Sequence, residues 1–304
     1  MNGTRIVVTG GSGFVGRSVV RALVARGATV TVADRLAFPD AGVNTVLGEL
    51  TEPGVRERLF AEPCEGVIHL AGITSVLRSV ELPAETVAAN VSVTAALLEE
   101  ARKSGVHQFL LASTNAVVGD VGTATITEAT PLRPLTPYGA TKAACEMLLS
   151  GYAGSYEMIT TALRFTNIYG PGMEAKDSFV PRMMRAAVGG DVVSVYGDGT
   201  QRRDLVHVDD VVAAILAAFD REFCGTAIIG AGRSVSVLDM IAAVNEVTGR
   251  ELNTQHVEAK AGEMPAVIVD ISMAARELGY TPSMSLREGL ATVWRDFRSQ
   301  LAVP

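Results

Sequence analysis

The 304-residue chain carries 26 Lys and Arg against 33 Asp and Glu, a formal charge of -7. It therefore lacks the basic footprint that nucleic acid or an anionic membrane surface requires. Cys64, Cys145 and Cys224 stand far apart without CxxC spacing, which argues against a disulfide framework or a zinc site and points to a reducing compartment. With no run of 18 or more apolar residues and no signal-like start, a cytoplasmic protein with no membrane partner and no metal is expected.

Apolar β-branched runs alternate with segments of helical period: strand Arg5–Thr9, helix Phe14–Arg26, strand Thr29–Asp34, helix Pro53–Phe60, strand Gly66–Ala71. A helix around Ala84–Arg102, a strand Val106–Ser113, a helix from Pro137 and a strand Met158–Asn167 continue the pattern. This alternation predicts an α/β fold, a Rossmann-type doubly wound parallel sheet covered on both faces. Gly170, Pro171 and Gly172 break the regularity, and the shorter, mixed segments beyond predict a smaller α/β substrate lobe. The expected division is 1–170 for the nucleotide-binding domain and 171–304 for the lobe, with some later segments returning to the sheet.

Thr9-Gly10-Gly11-Ser12-Gly13-Phe14-Val15-Gly16 joins the first strand to the first helix with GxxGxxG spacing. Gly10 permits the turn, Gly13 lets backbone approach a pyrophosphate, and Gly16 lets helix pack on strand, while the helix N-terminus offers N–H groups to the anion. No Lys followed by Ser or Thr ends the loop, so it is not a P-loop. Asp34 closes the second strand, where a carboxylate accepts the ribose hydroxyls and repels a 2′-phosphate, favouring NAD over NADP; Arg35 beside it is the feature that suits the extra phosphate.

Tyr138 and Lys142 lie four residues apart, on one face of a helix. Lowering a phenol from ~10 to ~7 takes about 4 kcal/mol of preferential phenolate stabilisation. One ammonium at ~4 Å supplies up to about that much at an effective dielectric of ~20, before desolvation of either group. The pair is therefore read as a base and its activator.

Together with His69-Leu70-Ala71-Gly72, Ser113-Thr114 before Val117-Val118-Gly119, Arg164 to Gly172, and Gly197-Asp198-Gly199 through Arg203-Asp204 to Asp209-Asp210, these motifs give the chain a resemblance. It resembles the extended short-chain dehydrogenase/reductase family, in particular the nucleotide-sugar epimerases and dehydratases, over nearly its whole length. The resemblance implies that Thr114 hydrogen-bonds the reacting sugar oxygen, that Tyr138 is the base, and that Lys142 also holds the nicotinamide ribose. For the cofactor it implies Phe14, Val15, Arg35, Glu49, Leu50, Leu70, Ala71, Gly72, Asn90 and Phe165 beside the glycines and Asp34. For the substrate it implies Ser75, Val76, Asn115, Asn167, Val180, Arg182, Tyr196, Arg203 and Lys260, and it implies a homodimer.

Dehydratases of the family carry an Asp-Glu pair directly after that Thr, because elimination needs extra acid and base groups. Here Asn115 and Ala116 follow, which leaves transient oxidation and re-reduction. An NAD-dependent epimerase acting at C4 of a UDP sugar, neutral hexose or hexuronic acid, is the leading expectation. A dehydrogenase or ketoreductase on a keto sugar or hydroxy acid is the alternative, followed by a non-catalytic dinucleotide sensor. Two departures stand out: Lys260-Ala261-Gly262-Glu263 replaces an Arg-x-Gly-Asp that grips the diphosphate, and Val118 replaces a tyrosine. Arg182 is read either as a partner for a uronic carboxylate or as a solvated charge, Asp209 and Asp210 as N-cap residues, and His69, His207 and Cys145 as packed residues.

Overall fold

Strand and helix alternate from the N-terminus as the patterning requires. In the computed structural model, which describes residue 1, residues 3–259 and residues 264–301, the first elements are β1 (Arg5–Thr9), α1 (Phe14–Ala25), β2 (Thr29–Asp34), β3 (Asn44–Leu47), α2 (Pro53–Leu59) and β4 (Gly66–His69). Then come α3 (Val76–Glu81), α4 (Pro83–Val87), α5 (Val93–Lys103), β5 (Gln108–Thr114), β6 (Thr125–Ile126), α6 (Pro137–Tyr156) and β7 (Ile159–Phe165). The later part holds β8 (Asn167–Tyr169), α7 (Phe179–Gly189), β9 (Val193–Tyr196), β10 (Arg202–His207), α8 (Val208–Asp220), β11 (Gly225–Ile229) and β12 (Ser234–Ser236). It closes with α9 (Val237–Thr248), β13 (Thr254–Val257), β14 (Ile268–Val269), α10 (Ser272–Leu278) and α11 (Leu286–Leu301).

Seven strands form one sheet in the order β11-β7-β5-β4-β1-β2-β3, each pair parallel. Strands covered on both faces need continuous apolar runs, and Ile6, Val7 and Val8 are all fully buried. Ile6 and Val8 pack with Val19, Val20 and Leu23 of α1 and Val211 and Ile215 of α8. Val7 belongs to the opposite face, with Leu97 and Leu98 of α5 and Cys145 and Leu149 of α6. The strand order reverses between β1 and β4, which opens a ligand crevice outside the carboxyl ends of the strands.

Several expected elements differ in their bounds, three of them beside the site. The helix of residues 84–102 is divided by a π-turn at Ala88–Ser92, a device that re-aims side chains and here leaves Asn90 buried. The strand of 106–113 begins at Gln108 and runs on to Thr114. The strand of 158–167 stops at Phe165 because Thr166 gives its N–H to the Ile229 carbonyl (3.1 Å) and its hydroxyl to Asp204 (2.7 Å), and Asn167 starts β8 beside β10.

The smaller lobe holds the sheets β12-β10-β8 and β13-β9, with α7, α9 and α11 around Tyr169, Met183, Met184, Met240, Val244 and Leu290. Residues 208–229 return to the large sheet, α8 against α1 and β11 beside β7. The N-cap of α8 is His207, whose Nδ1 accepts from the Asp209 N–H at 3.2 Å, so the aspartates do not cap it. Asp210 is buried and accepts from Ser283 N and Oγ (2.8 Å each) and Met284 N (3.2 Å), pinning the chain before α11. Among the described residues no helix is long and apolar enough to cross a membrane.

Candidate active site

The glycine loop is built for close approach. Gly10 has φ +70°, and a Cβ there would lie 2.7 Å from the Ala71 nitrogen; a Cβ at Gly16 would lie 2.1 Å from the Gly10 carbonyl oxygen. Larger residues would push α1 off the loop and the loop off residues 70–72. Gly13 is the N-cap of α1, no side chain caps it, and no carboxylate stands in the first turn, so the N–H groups of Phe14, Val15 and Gly16 suit an anion. Asp34 accepts from Ser12 N (3.0 Å) and Leu36 N (3.3 Å), which fixes its carboxylate beside the loop and leaves about half of its lone pairs. Pyrophosphate on the helix N-terminus and a ribose diol on Asp34 fit these groups. Arg35 lies 3.7 Å from Glu49, both exposed, so this cation faces a carboxylate and offers little to a 2′-phosphate. Leu50 is buried.

Opposite the loop, Leu70 N donates to the Thr9 carbonyl (3.1 Å) and Ala71 N to the Thr9 hydroxyl (3.3 Å). Asn90 accepts from Ile73 N (2.8 Å) and donates to Ile73 O (3.1 Å) and Thr141 Oγ1 (3.0 Å). Both of its amide protons are committed inside the protein. These bonds brace the 70–73 loop against α6. The Phe165 and Val180 side chains are buried in the two cores.

The three residues expected to be catalytic, Thr114, Tyr138 and Lys142, lie at the carboxyl end of β5 and the start of α6. Thr136 caps α6 by accepting from Gly139 N (3.2 Å), and Pro137 fills its first position. A Cβ on Gly139 would lie 2.5 Å from the Ala116 carbonyl oxygen, so the first turn of α6 sits against the turn after Thr114. Tyr138 N donates to Ser79 Oγ (3.2 Å), and the nearby Thr114 hydroxyl favours the Tyr138 phenolate. Lys142 is 2 % exposed, with Nζ 3.7 Å from where a Gly72 Cβ would stand, under the loop after β4.

Burial dominates the electrostatics of the site. Burial pushes the Tyr138 phenol up from its ordinary value, and the nearby Thr114 hydroxyl pulls it down. The Lys142 ammonium is pushed down by burial, while Cys145 and Glu146 hold it up. His69 is bonded at Nδ1 to Thr9 (2.6 Å) and at Nε2 to Thr94 (3.0 Å), and burial with the nearby Lys142 charge lowers it to about 3. It is a neutral packed histidine at neutral pH.

Beneath the trio lies a network that the sequence reading missed. Glu146, one turn beyond Lys142, accepts from Arg164 Nε (3.0 Å) and Nη2 (2.7 Å) and from Ser113 Oγ (2.5 Å), with both ionic side chains almost fully buried. Its signal was an arginine inside an apolar strand, since a buried guanidinium requires an anion.

Of the expected substrate residues, Asn167 and Arg203 stand on the adjacent strands β8 and β10; Asn167 Nδ2 donates to the Asp204 carbonyl (3.1 Å) and Arg203 Nη1 to the Arg202 carbonyl (2.9 Å). Tyr196 is exposed at the end of β9. Ser75 caps α3 and Val76 is exposed. Asn115 is buried directly after Thr114. Arg182 forms an exposed fork with Asp177 (2.6 and 2.7 Å). Lys260 lies outside the described residues.

A family model described as the NAD dependent epimerase/dehydratase family matches residues 6–228. A dTDP-glucose 4,6-dehydratase of Streptomyces griseus is 31% identical over 305 residues, covering 95% of this chain and 92% of its own. A UDP-glucose 4-epimerase of Thermotoga maritima, solved with UDP-glucose, superposes with TM-score 0.94 at 32% identity, covering 98% of this chain and 100% of that one. The protein MoeE5, solved with UDP-glucuronic acid and NAD, superposes with TM-score 0.90 at 35% identity, covering 97% and 99%.

Proposed function

The chain belongs to the NAD-dependent epimerase/dehydratase family, and we propose that it interconverts UDP sugars by inversion at C4. The observation that carries this reading is the Thr114 hydroxyl beside the Tyr138 phenol at the carboxyl end of β5, followed by Asn115 and Ala116, which supply neither acid nor base for elimination. That sequence separates the chain from the dehydratase chemistry named for its Streptomyces griseus relative.

Bound NAD supplies a hydride acceptor that returns the hydride within the same turnover. The first-turn amides of α1, Asp34 and Lys142 would hold it. Tyr138 takes the C4 hydroxyl proton at its phenolic oxygen and gives it back after the 4-keto ring has turned over. Thr114 holds the same sugar oxygen, and Asn90 and Ser79 keep α6 in register with the loops on either side. In this reading the large sheet carries the cofactor and the smaller lobe carries the sugar nucleotide, with Asn167 and Arg203 towards the diphosphate.

A homodimer in the cytoplasm completes the proposal. Support for pairing comes from exposed Met147 on α6 and exposed Val87 on the neighbouring α4; support for a reducing compartment comes from three free cysteines. The function is tested by incubating the purified protein, without added cofactor, with UDP-glucose, UDP-galactose, UDP-glucuronate and UDP-galacturonate and following C4 configuration by proton NMR. Inversion of at least one sugar without accumulating NADH is expected. NADH formed from added NAD with no inversion would identify a net dehydrogenase instead.

A further inference from the structure

The ring of Phe14, the first residue of α1, packs against the core of the smaller lobe, the cluster holding Tyr169 and Met173, whereas Val15 and Val19 of the same helix join the core under the large sheet. The two lobes therefore meet at the first turn of α1, where the uncapped amides suit a pyrophosphate. Residues 170–178, between β8 and α7, run past this contact as a fixed strap. Gly172 N donates to Asp296 (2.8 Å) and Lys176 N to the carbonyl of buried Met173 (2.9 Å). Arg185 of α7 donates to the Glu174 and Lys176 carbonyls (2.8 and 3.0 Å).

So held, the strap sets the Lys176 ammonium 5.8 Å from the centre of the Phe14 ring, within cation–π range. Lys176 keeps access to solvent, yet the surrounding protein pushes its ammonium down, a combination that marks a cation in the wall of an open crevice. Among the described residues no side-chain hydrogen bond or ion pair holds it. The adjacent carboxylate, Asp177, is engaged by the Arg182 fork and stands 3.7 Å from Arg185. A partly desolvated charge without a counter-charge is costly, and an anion on the α1 amides would supply one.

We propose that Lys176 is a cofactor-retention residue whose ammonium answers the diphosphate of NAD bound at the first turn of α1, so that the smaller lobe straps the cofactor to the large sheet. An ammonium suits a phosphate as a point charge with three donors. A sugar nucleotide carries a diphosphate too; the place of Lys176 over Phe14 assigns it to the cofactor's. The proposal needs the cofactor and not the sugar chemistry, so it stands or falls apart from the C4 reading.

The test loads wild type, Lys176→Met and Lys176→Arg with NAD, times the release of cofactor on dilution, and measures the Kd of each loaded protein for UDP. Where release is too fast to time, the Kd for NAD gives the same comparison. Methionine keeps an unbranched stem on Phe14 and removes the charge. Lys176→Met is expected to release NAD about tenfold faster, the range of one charge-assisted contact, and Lys176→Arg to stay within about threefold of wild type. Raising salt from about 20 mM to about 500 mM is expected to quicken release from wild type more than from Lys176→Met, because screening acts on the charge that the variant lacks. A role in loop packing alone would show neither that salt difference nor rescue by arginine. The Kd for UDP is expected to change less than about threefold. Release unchanged in Lys176→Met, or equally salt-sensitive in both proteins, would overturn the proposal. A Kd for UDP raised about tenfold with NAD release unchanged would also overturn it, and would move the lysine to the sugar nucleotide.

Discussion

Tyr138 shows how far a motif carries at the scale of one residue. Four-residue spacing puts a phenol and an ammonium on one helix face, but the surroundings decide the titration. Burial raises the phenol, and the nearby Thr114 hydroxyl opposes it. A base that must act as phenolate then needs cationic help, for which Lys142 and the oxidised cofactor are the candidates. In protein stripped of NAD, Tyr138 is expected to titrate above its ordinary value of ~10, read as the difference in phenolate absorbance between wild type and Tyr138→Phe. Thr114→Val should move it further up, and adding NAD should move it down, so that turnover rises with pH towards the lowered value. A midpoint below 10 without cofactor, or no response to Thr114→Val, would contradict this electrostatic picture.

At the scale of elements, β5, α6 and β7 are joined by the Ser113, Glu146 and Arg164 cluster, which ties the strand bearing Thr114 to the helix bearing Tyr138 and Lys142. Removing one member of a buried ion pair leaves the other uncompensated. Glu146→Gln is therefore expected to cost about 3–5 kcal/mol in urea unfolding, with Arg164→Met in the same chain recovering most of it. A single variant as stable as wild type would show that the pair contributes nothing. The strands, the glycine loop and the start of α6 were legible in the sequence because they rest on local period, glycine spacing and a Thr-Pro helix start. The cluster was not, since Ser113 and Glu146 lie 33 residues apart and only the sheet brings them together. The π-turn that makes Asn90 a brace left no periodic trace either. The Arg182 fork was within reach, because Asp177 lies five residues before it.

For the whole molecule, α8 packs on α1 and β11 returns to the large sheet beside β7. That return depends on β11 finding the free edge of β7, a pairing 64 residues along the chain that spacing does not encode. Assembly belongs at this scale too. Pairing through α4 and α6 is expected to give a particle of twice the 31.9 kDa chain mass in light scattering. Met147→Glu, which sets like charges across a two-fold contact, is expected to halve it, and a wild-type particle of single mass at micromolar concentration would refute the dimer.

The C4 inversion itself is tested most directly by incubating the protein with UDP-glucose deuterated at C4, in ordinary water and without added cofactor, and reading the product by NMR. The expected product is UDP-galactose with deuterium still at C4 and the C5 and C6 hydrogens untouched, because the hydride that leaves the ring returns to the same carbon. Deuterium found at C6, exchange of the C5 hydrogen with solvent, or deuterium released on free NADH would contradict it.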